Sequence, residues 1–153
     1  LLQLLPAALP ALPLAARAHH GWSSFDQSRP LWLEGRATQV VWRNPHAELK
    51  LELPAEPRLP ADLATRAVPP QAAAVDAKAL LAAAQLPKRR DRLWTVELAP
   101  LTRMQAWGVA EIRPGAALAV LGFAFTEEKG DAVLRAEYLF VDGKAYGLRS
   151  APA

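Results

Sequence analysis

The sequence contains no cysteine, which excludes disulfides, thiolate metal ligands and a lipidated cysteine. Its single methionine argues against a methionine-lined Cu(I) site. The formal net charge of +3 is too small to indicate a nucleic-acid partner. Beyond the first residues, no segment is apolar over the roughly 20 residues that a membrane helix needs. With 153 residues, of which 52% are hydrophobic, the chain can bury one core, and packing must stabilise it.

The first 18 residues have the composition of a signal peptide. They are almost entirely Leu, Ala and Pro, carry no charge before Arg17 and end in the small-x-small pattern Ala16-Arg17-Ala18. The sequence begins without Met, so we expect a few further residues with a basic region to precede it. We predict a signal peptide at residues 1–18, cleavage after Ala18 and a periplasmic location. No transmembrane segment is expected after cleavage.

The remainder, residues 19–153, is predicted to form a single mainly β domain. Charged and apolar residues alternate cleanly in the stretches around Leu51 and Val96. Strands are predicted at 31–42, 47–53, 93–98, 116–125 and 132–141, with a further run at 144–148. A short helix from Pro100 to Gly108 lies between the third and fourth strands. This order indicates a small OB-like five-stranded barrel, and a small open sandwich is the alternative.

A Pro/Ala-rich insertion at residues 54–91 interrupts the strands. Its stretch from Gln71 to Leu86 is rich in alanine, which predicts a short helix between mobile, proline-rich flanks. A passive insertion in a surface hairpin is favoured over a functional lid, because long loops cost little closure entropy. The basic cluster from Lys88 to Arg92 is interpreted as a solvated loop.

All three histidines lie between Ala16 and Trp42-Arg43-Asn44-Pro45-His46-Ala47. Cleavage after Ala18 makes His19 the first residue and places His20 beside it. His46 follows Asn44-Pro45 and shares the parity of the charged face of the next strand. We therefore expect it at the rim of the sheet, within reach of solvent.

Several of these motifs together resemble a known family. They are Ala18-His19-His20-Gly21, Leu33-Glu34-Gly35, Trp42-Arg43-Asn44-Pro45-His46-Ala47, Trp94-x-x-Glu97 and Pro114-Gly115. In this order and spacing they resemble the exported bacterial proteins of the domain of unknown function 6152 family. The resemblance implies a periplasmic, β-rich domain and no established activity. The long insertion is a departure from it.

The histidines suggest a metal site. The α-amine and ring of His19, joined by His46, would give a three-nitrogen set of the histidine-brace kind, and nitrogen ligands without sulfur favour Cu(II). Two other arrangements remain open: a chelate made by the amine and His20 without His46, and zinc bound by His19, His20 and His46 with a water. The alternative is that all three residues have structural roles only.

A metal-independent binding module is the second hypothesis, because OB-like barrels bind extended ligands with exposed aromatics. Trp22 and Trp32 are the better candidates for exposure, whereas Trp94 has the inward parity of its strand. A small ligand or a metal ion is therefore the expected partner. The sequence favours a binding protein over an enzyme, since no nucleophile elbow or phosphate loop frames Ser23, Ser24 or the carboxylates.

Overall fold

The computed structural model describes residues 21–153, so His19, His20 and the predicted signal peptide lie outside the described residues. The elements in chain order are β1 (Leu31–Val41), β2 (Glu48–Glu52), α1 (Ala77–Ala83), β3 (Leu93–Glu97), α2 (Leu101–Ala106), β4 (Ala117–Ala124), β5 (Val133–Val141) and β6 (Lys144–Gly147). Three short 3-10 turns lie at Trp22–Ser24, Leu63–Thr65 and Thr126–Glu128. No helix within residues 21–153 is long and apolar enough to cross a membrane.

The first five strands close into a barrel. They follow the order β3-β2-β1-β4-β5, and β3 returns to pair with β5, while β6 lies outside the ring beside β5. All neighbours are antiparallel except β3 and β5, which are parallel with Glu97 opposite Arg135. The predicted OB-like barrel is confirmed, with α2 between β3 and β4, and the open sandwich is excluded.

The interior follows the predicted alternation. Trp94, Val96 and Leu98 are completely buried, and Leu31 and Leu33 join them in the main core. A β-bulge lies in β1, where the register of β1 against β2 shifts between Ala37 and Gln39. A glycine is required at position 35, because a Cβ there would overlap the backbone carbonyl of Glu52 in β2.

The insertion has a larger structural role than the sequence suggested. Its buried residues Leu63 and Leu81 form a second apolar cluster with Trp32, Leu121 and Tyr138 on the outer face of β1, β4 and β5. The predicted short helix is present as α1, whose first turn is capped by the Asp76 side chain accepting from Ala79 N at 2.9 Å. The insertion is therefore a layer packed on the barrel.

The C-terminal end of the insertion is anchored by Glu128. Its carboxylate accepts hydrogen bonds from the backbone N–H groups of Lys88 and Arg89 at 2.9–3.0 Å and pairs with Arg29 at 2.6 Å. Burial opposes ionisation, but these N–H groups and the Arg29 guanidinium together lower the pKa of Glu128 below its usual value. The basic cluster is largely exposed, as predicted, but the backbone of Lys88 and Arg89 is anchored to the barrel through Glu128.

Replacing Leu81 by Ala tests the packing of the insertion. We expect the free energy of unfolding to fall by about 2–5 kcal/mol, because a buried leucine leaves a cavity. Urea unfolding followed by circular dichroism measures this change. Leu59→Ala in the same insertion is the matched control, because Leu59 is 41% exposed. Equal, small effects of both changes would contradict the packed layer.

Glu128→Gln should lower the free energy of unfolding by about 1–3 kcal/mol at pH 7. Because the pKa of Glu128 is lower in the folded than in the unfolded chain, its contribution is present above the unfolded pKa and is lost as pH falls through the folded pKa. The difference between wild type and variant in urea unfolding should therefore shrink between pH 7 and pH 3. Glu127→Gln is the control, since its pair with Lys129 is exposed. A difference that does not change with pH would contradict the assignment.

Candidate functional site

A polar cluster covers the outer side of the β3–β5 pair, next to the start of the described chain. We call Trp22, His46, Glu97, Arg135 and Arg149 the Trp22 cluster. The guanidinium carbon of Arg149 lies 4.0 Å from the centre of the Trp22 ring, and that of Arg135 lies 5.1 Å from it. Arg135 also contacts Glu97 at 3.3 Å and the Nε2 atom of His46 at 3.4 Å. Trp22 and His46 therefore both contact the side chain of Arg135.

Backbone pairing places these groups. The parallel register sets Glu97 of β3 directly opposite Arg135 of β5. His46 lies two residues before β2, where Ala47 exchanges hydrogen bonds with the backbone at the end of β3. Trp22 lies in a 3-10 turn that is followed by the pairing of Phe25 with Phe125. The barrel thus fixes His46 beside Arg135, and the 3-10 turn brings the Trp22 ring over Arg135.

The guanidinium of Arg135 is unusually placed for a charge. Burial lowers its pKa, and although Glu97 opposes this shift, the positive charges of Arg103 and Arg149 add to it. Its Nε atom is buried and has no hydrogen-bond partner among residues 21–153. Three arginines thus share this region with the carboxylates of Glu97 and Glu137.

The contact with Arg135 bears on the tautomer of His46. A guanidinium can only donate hydrogen bonds, so the Nε2 atom of His46 is the acceptor in this contact. In a neutral imidazole the proton then lies on Nδ1. A metal ion binding at Nε2 would therefore have to displace Arg135 from this nitrogen.

A second network lies behind Trp22. The completely buried carboxylate of Glu137 pairs with Arg149 at 2.7 Å and accepts from the Gln71 side chain at 3.0 Å. The Oε1 atom of Gln71 accepts in turn from the backbone N–H groups of Arg149 and Ser150. The network joins β5, the insertion and the C-terminal segment, and it holds Arg149 against Trp22.

The predicted metal ligands divide between two parts of the chain. His19 and His20 lie outside the described residues, and His46 is half-buried at the rim of the barrel, with Arg135 and Glu97 close by. Residues 21–153 contain no group of three or more His, Cys, Asp or Glu side chains suited to a metal ion.

The expectations for the tryptophans are partly confirmed. Trp94 is buried as predicted, and Trp22 is half-buried under its two arginines. The expected exposure of Trp32 is wrong, because only 1% of it is exposed. The insertion covers this ring, and Arg66 lies 5.4 Å from its centre.

A cleft between the insertion and the barrel is the second candidate site. It has a volume of about 1140 Å³ and is bounded by β1, the start of β4, the β5–β6 turn and residues 52–67. Phe140 lies beside Trp32 on its floor, with ring centres 5.1 Å apart. Its walls carry as many acidic as basic side chains, namely Glu34, Glu52, Glu56, Asp62 and Asp142 against Arg36, Arg58, Arg66, Arg92 and Lys144.

Most of these charges already have partners in the walls. Arg58 lies 3.7 Å from Glu56, Arg66 lies 3.1 Å from Asp62, and Arg92 lies 3.4 Å from Glu52. The Trp32 ring nitrogen donates to Glu34 at 3.3 Å. With its charge balanced and mostly paired, the cleft is suited to a ligand without a large net charge.

Sequence reasoning did not find Arg135, Glu137 or the cleft. Arg135 and Glu137 interrupt the otherwise apolar run Val133–Val141, and two charges inside such a strand were a usable signal. The cleft had no comparable signal, because its walls come from segments far apart in sequence.

Comparison with known proteins gives one match. The family of unknown function DUF6152 matches residues 8–58, which confirms the resemblance for the motifs in this stretch, while the motifs at Trp94 and Pro114 lie outside it. The matched stretch contains all three histidines, β1 and β2. No curated protein and no solved structure matches the chain.

Glu137→Gln should lower the free energy of unfolding by about 2–4 kcal/mol, because it leaves Arg149 without its buried carboxylate partner. The same change at Glu52, whose pair with Arg92 is about half exposed, should cost less than about 1 kcal/mol. Urea unfolding of both variants measures the difference. Equal costs would show that the Glu137 network does not stabilise the fold.

Proposed function

We propose that the protein is an exported, periplasmic binding protein whose specific ligand is Cu(II), held by the mature N-terminal His19 together with His46. In this arrangement the α-amine and the ring of His19 supply two nitrogens and His46 supplies a third. His20 is the alternative partner of the amine. Bound Cu(II) would provide a Lewis-acidic, redox-active centre at the surface of the barrel.

One observation carries this proposal: Trp22 and His46 contact the same Arg135 side chain. His19 and His20 precede Trp22 by three and two residues, and a chain spans at most about 3.6 Å per residue. The shared contact with Arg135 therefore supports a site that His46 and the residues preceding Trp22 could both reach.

Two arginines of the Trp22 cluster oppose the binding of a metal ion at His46. Positive charge at Arg135 and Arg149 opposes the approach of a divalent cation, and Arg135 engages the Nε2 atom of His46. The amine and imidazoles must also lose their protons, which a strongly bound metal can enforce near neutral pH. Copper binding through His46 therefore requires Arg135 to turn away from this side chain.

The cleft favours a second candidate function, metal-independent binding of an organic ligand. Its volume of about 1140 Å³ is somewhat larger than that of common ligand pockets, and its floor is aromatic while its rim is charged. OB-like barrels bind extended ligands on their outer faces. Here the insertion provides the opposite wall.

Copper titration of protein exported with its own signal tests the first proposal. The intact mass should correspond to a start at His19. One extra residue before His19 should weaken Cu(II) binding by roughly 100-fold or more, because the amine leaves the chelate. Proteolytic removal of that residue should restore the affinity and serves as the control.

His46→Ala separates the arrangements. A loss of roughly tenfold or more in Cu(II) affinity supports the three-nitrogen site with His46. Unchanged affinity would assign the metal to His19 and His20 alone. A mature chain that starts elsewhere, or an extended chain that binds equally well, would overturn the His19 site.

A further inference from the structure

We propose that the cleft binds an extended peptide, which adds as a strand to the free edge of β6. This inference rests on the metal-independent binding function proposed above, and it names the ligand class and the contact that recognises it. It is independent of copper.

The free edge follows from the topology. Each of the five barrel strands has a neighbour on both sides, whereas within residues 21–153 β6 pairs only with β5. Asp142 and Gly143 join these strands with φ angles of 52° and 71°, the signature of a two-residue type I′ turn. Val141 and Lys144 therefore exchange backbone hydrogen bonds, as does every second pair after them. Leu148 N donating to Glu137 O at 2.8 Å continues this pattern.

The residues between the bonded pairs face away from β5. Gly147 is one of them, and the Gln71 side chain lies against it so closely that a Cβ would overlap. Ala145 is the other. Outside the strand ladder, no hydrogen bond among residues 21–153 involves Ala145, so its N–H and C=O are directed to an open edge.

Two grooves adjoin at this edge. The cleft reaches Ala67, Lys144 and Ala145, and a shallower groove of about 520 Å³ shares these three residues. The second groove continues past Val68, Pro69, Trp107 and Tyr146. At Ala145 the edge of β6 therefore faces both grooves, whereas at Gly147 the Gln71 side chain covers it.

The residues that line the two grooves indicate which class of ligand fits. A donor and an acceptor on one strand residue match a peptide backbone. Side chains of an added strand would alternate between the face of Phe140, which pairs with Ala145, and the face of Tyr146 next to Trp107. We therefore expect apolar residues at successive positions of the bound segment.

The charges add a further condition. Within residues 21–153, Asp142 and Lys144 form no ion pair, in contrast to the other paired charges of the cleft. They lie at one end of the free edge and suit a flanking charged residue of either sign. A saccharide fits less well, because Trp32 is covered by Arg66 and its face is not open to stacking.

Selection from a random dodecapeptide library on the mature protein provides the probe, and fluorescence polarisation measures its affinity. Ala145→Pro removes the outward N–H without removing a ladder hydrogen bond, and it should weaken binding at least tenfold. Ala145→Ser keeps the N–H and should weaken binding far less than Ala145→Pro does. N-methylation along the peptide should weaken binding strongly at alternate residues only, and this scan needs no protein variant.

Several results would overturn the inference. These are a library that yields no binder, binding unaffected by Ala145→Pro, and an N-methylation scan without alternation. A dimer in light scattering that Ala145→Pro abolishes would assign the edge to a second copy. If maltohexaose binds instead and Phe140→Ala abolishes this binding, the peptide inference fails while the binding function stands. If neither probe binds the cleft, both fail.

Discussion

The parallel pairing of β3 with β5 is the constraint on which the molecule depends. This pairing closes the barrel. It also sets Glu97 opposite Arg135, and the two side chains form an ion pair in which Arg135 is buried and Glu97 is half-buried. Parallel neighbours cannot be joined by a tight turn, and here α2 and β4 occupy the connection. His46 and Trp22 then assemble on the outer side of this closure.

A second constraint acts on β1, β4 and β5. Their apolar residues face both the interior and the outside, so the outer face needs a cover. The insertion supplies it with Leu63 and Leu81, and it is fastened through Gln71 and Glu128. Because the cover meets the barrel only along part of its length, a cleft remains where residues 52–67 pass the β5–β6 turn.

The parts that could be predicted from the sequence are those in which one face of a strand meets solvent. Alternation identified β2 and β3 and the inward position of Trp94, and the order of elements indicated the closed barrel. Trp32 has outward parity between Leu31 and Leu33, which favours exposure in an uncovered strand. In the structure the insertion covers its outer face.

The rest depends on contacts across long sequence separations. Gln71 and Glu137 are 66 residues apart, and Arg135 and His46 are 89 apart, so neither contact has a local signature. One signal was nevertheless present. The run Leu118, Ala119, Val120 and Leu121 in β4 has no polar alternation, which indicates a strand covered on both faces and hence a packed insertion.

The insertion lies within a single connection of the barrel. It enters and leaves through the connection between β2 and β3, whose pairing does not involve it, and Gly35 and the barrel closure lie outside it. A homologue with a short β2–β3 hairpin would keep the arginine-bound His46 while losing one wall of the cleft. Because Gln71 of the insertion also bonds Glu137 and the backbone of Arg149, the same shortening would remove one support of Arg149 in the Trp22 cluster.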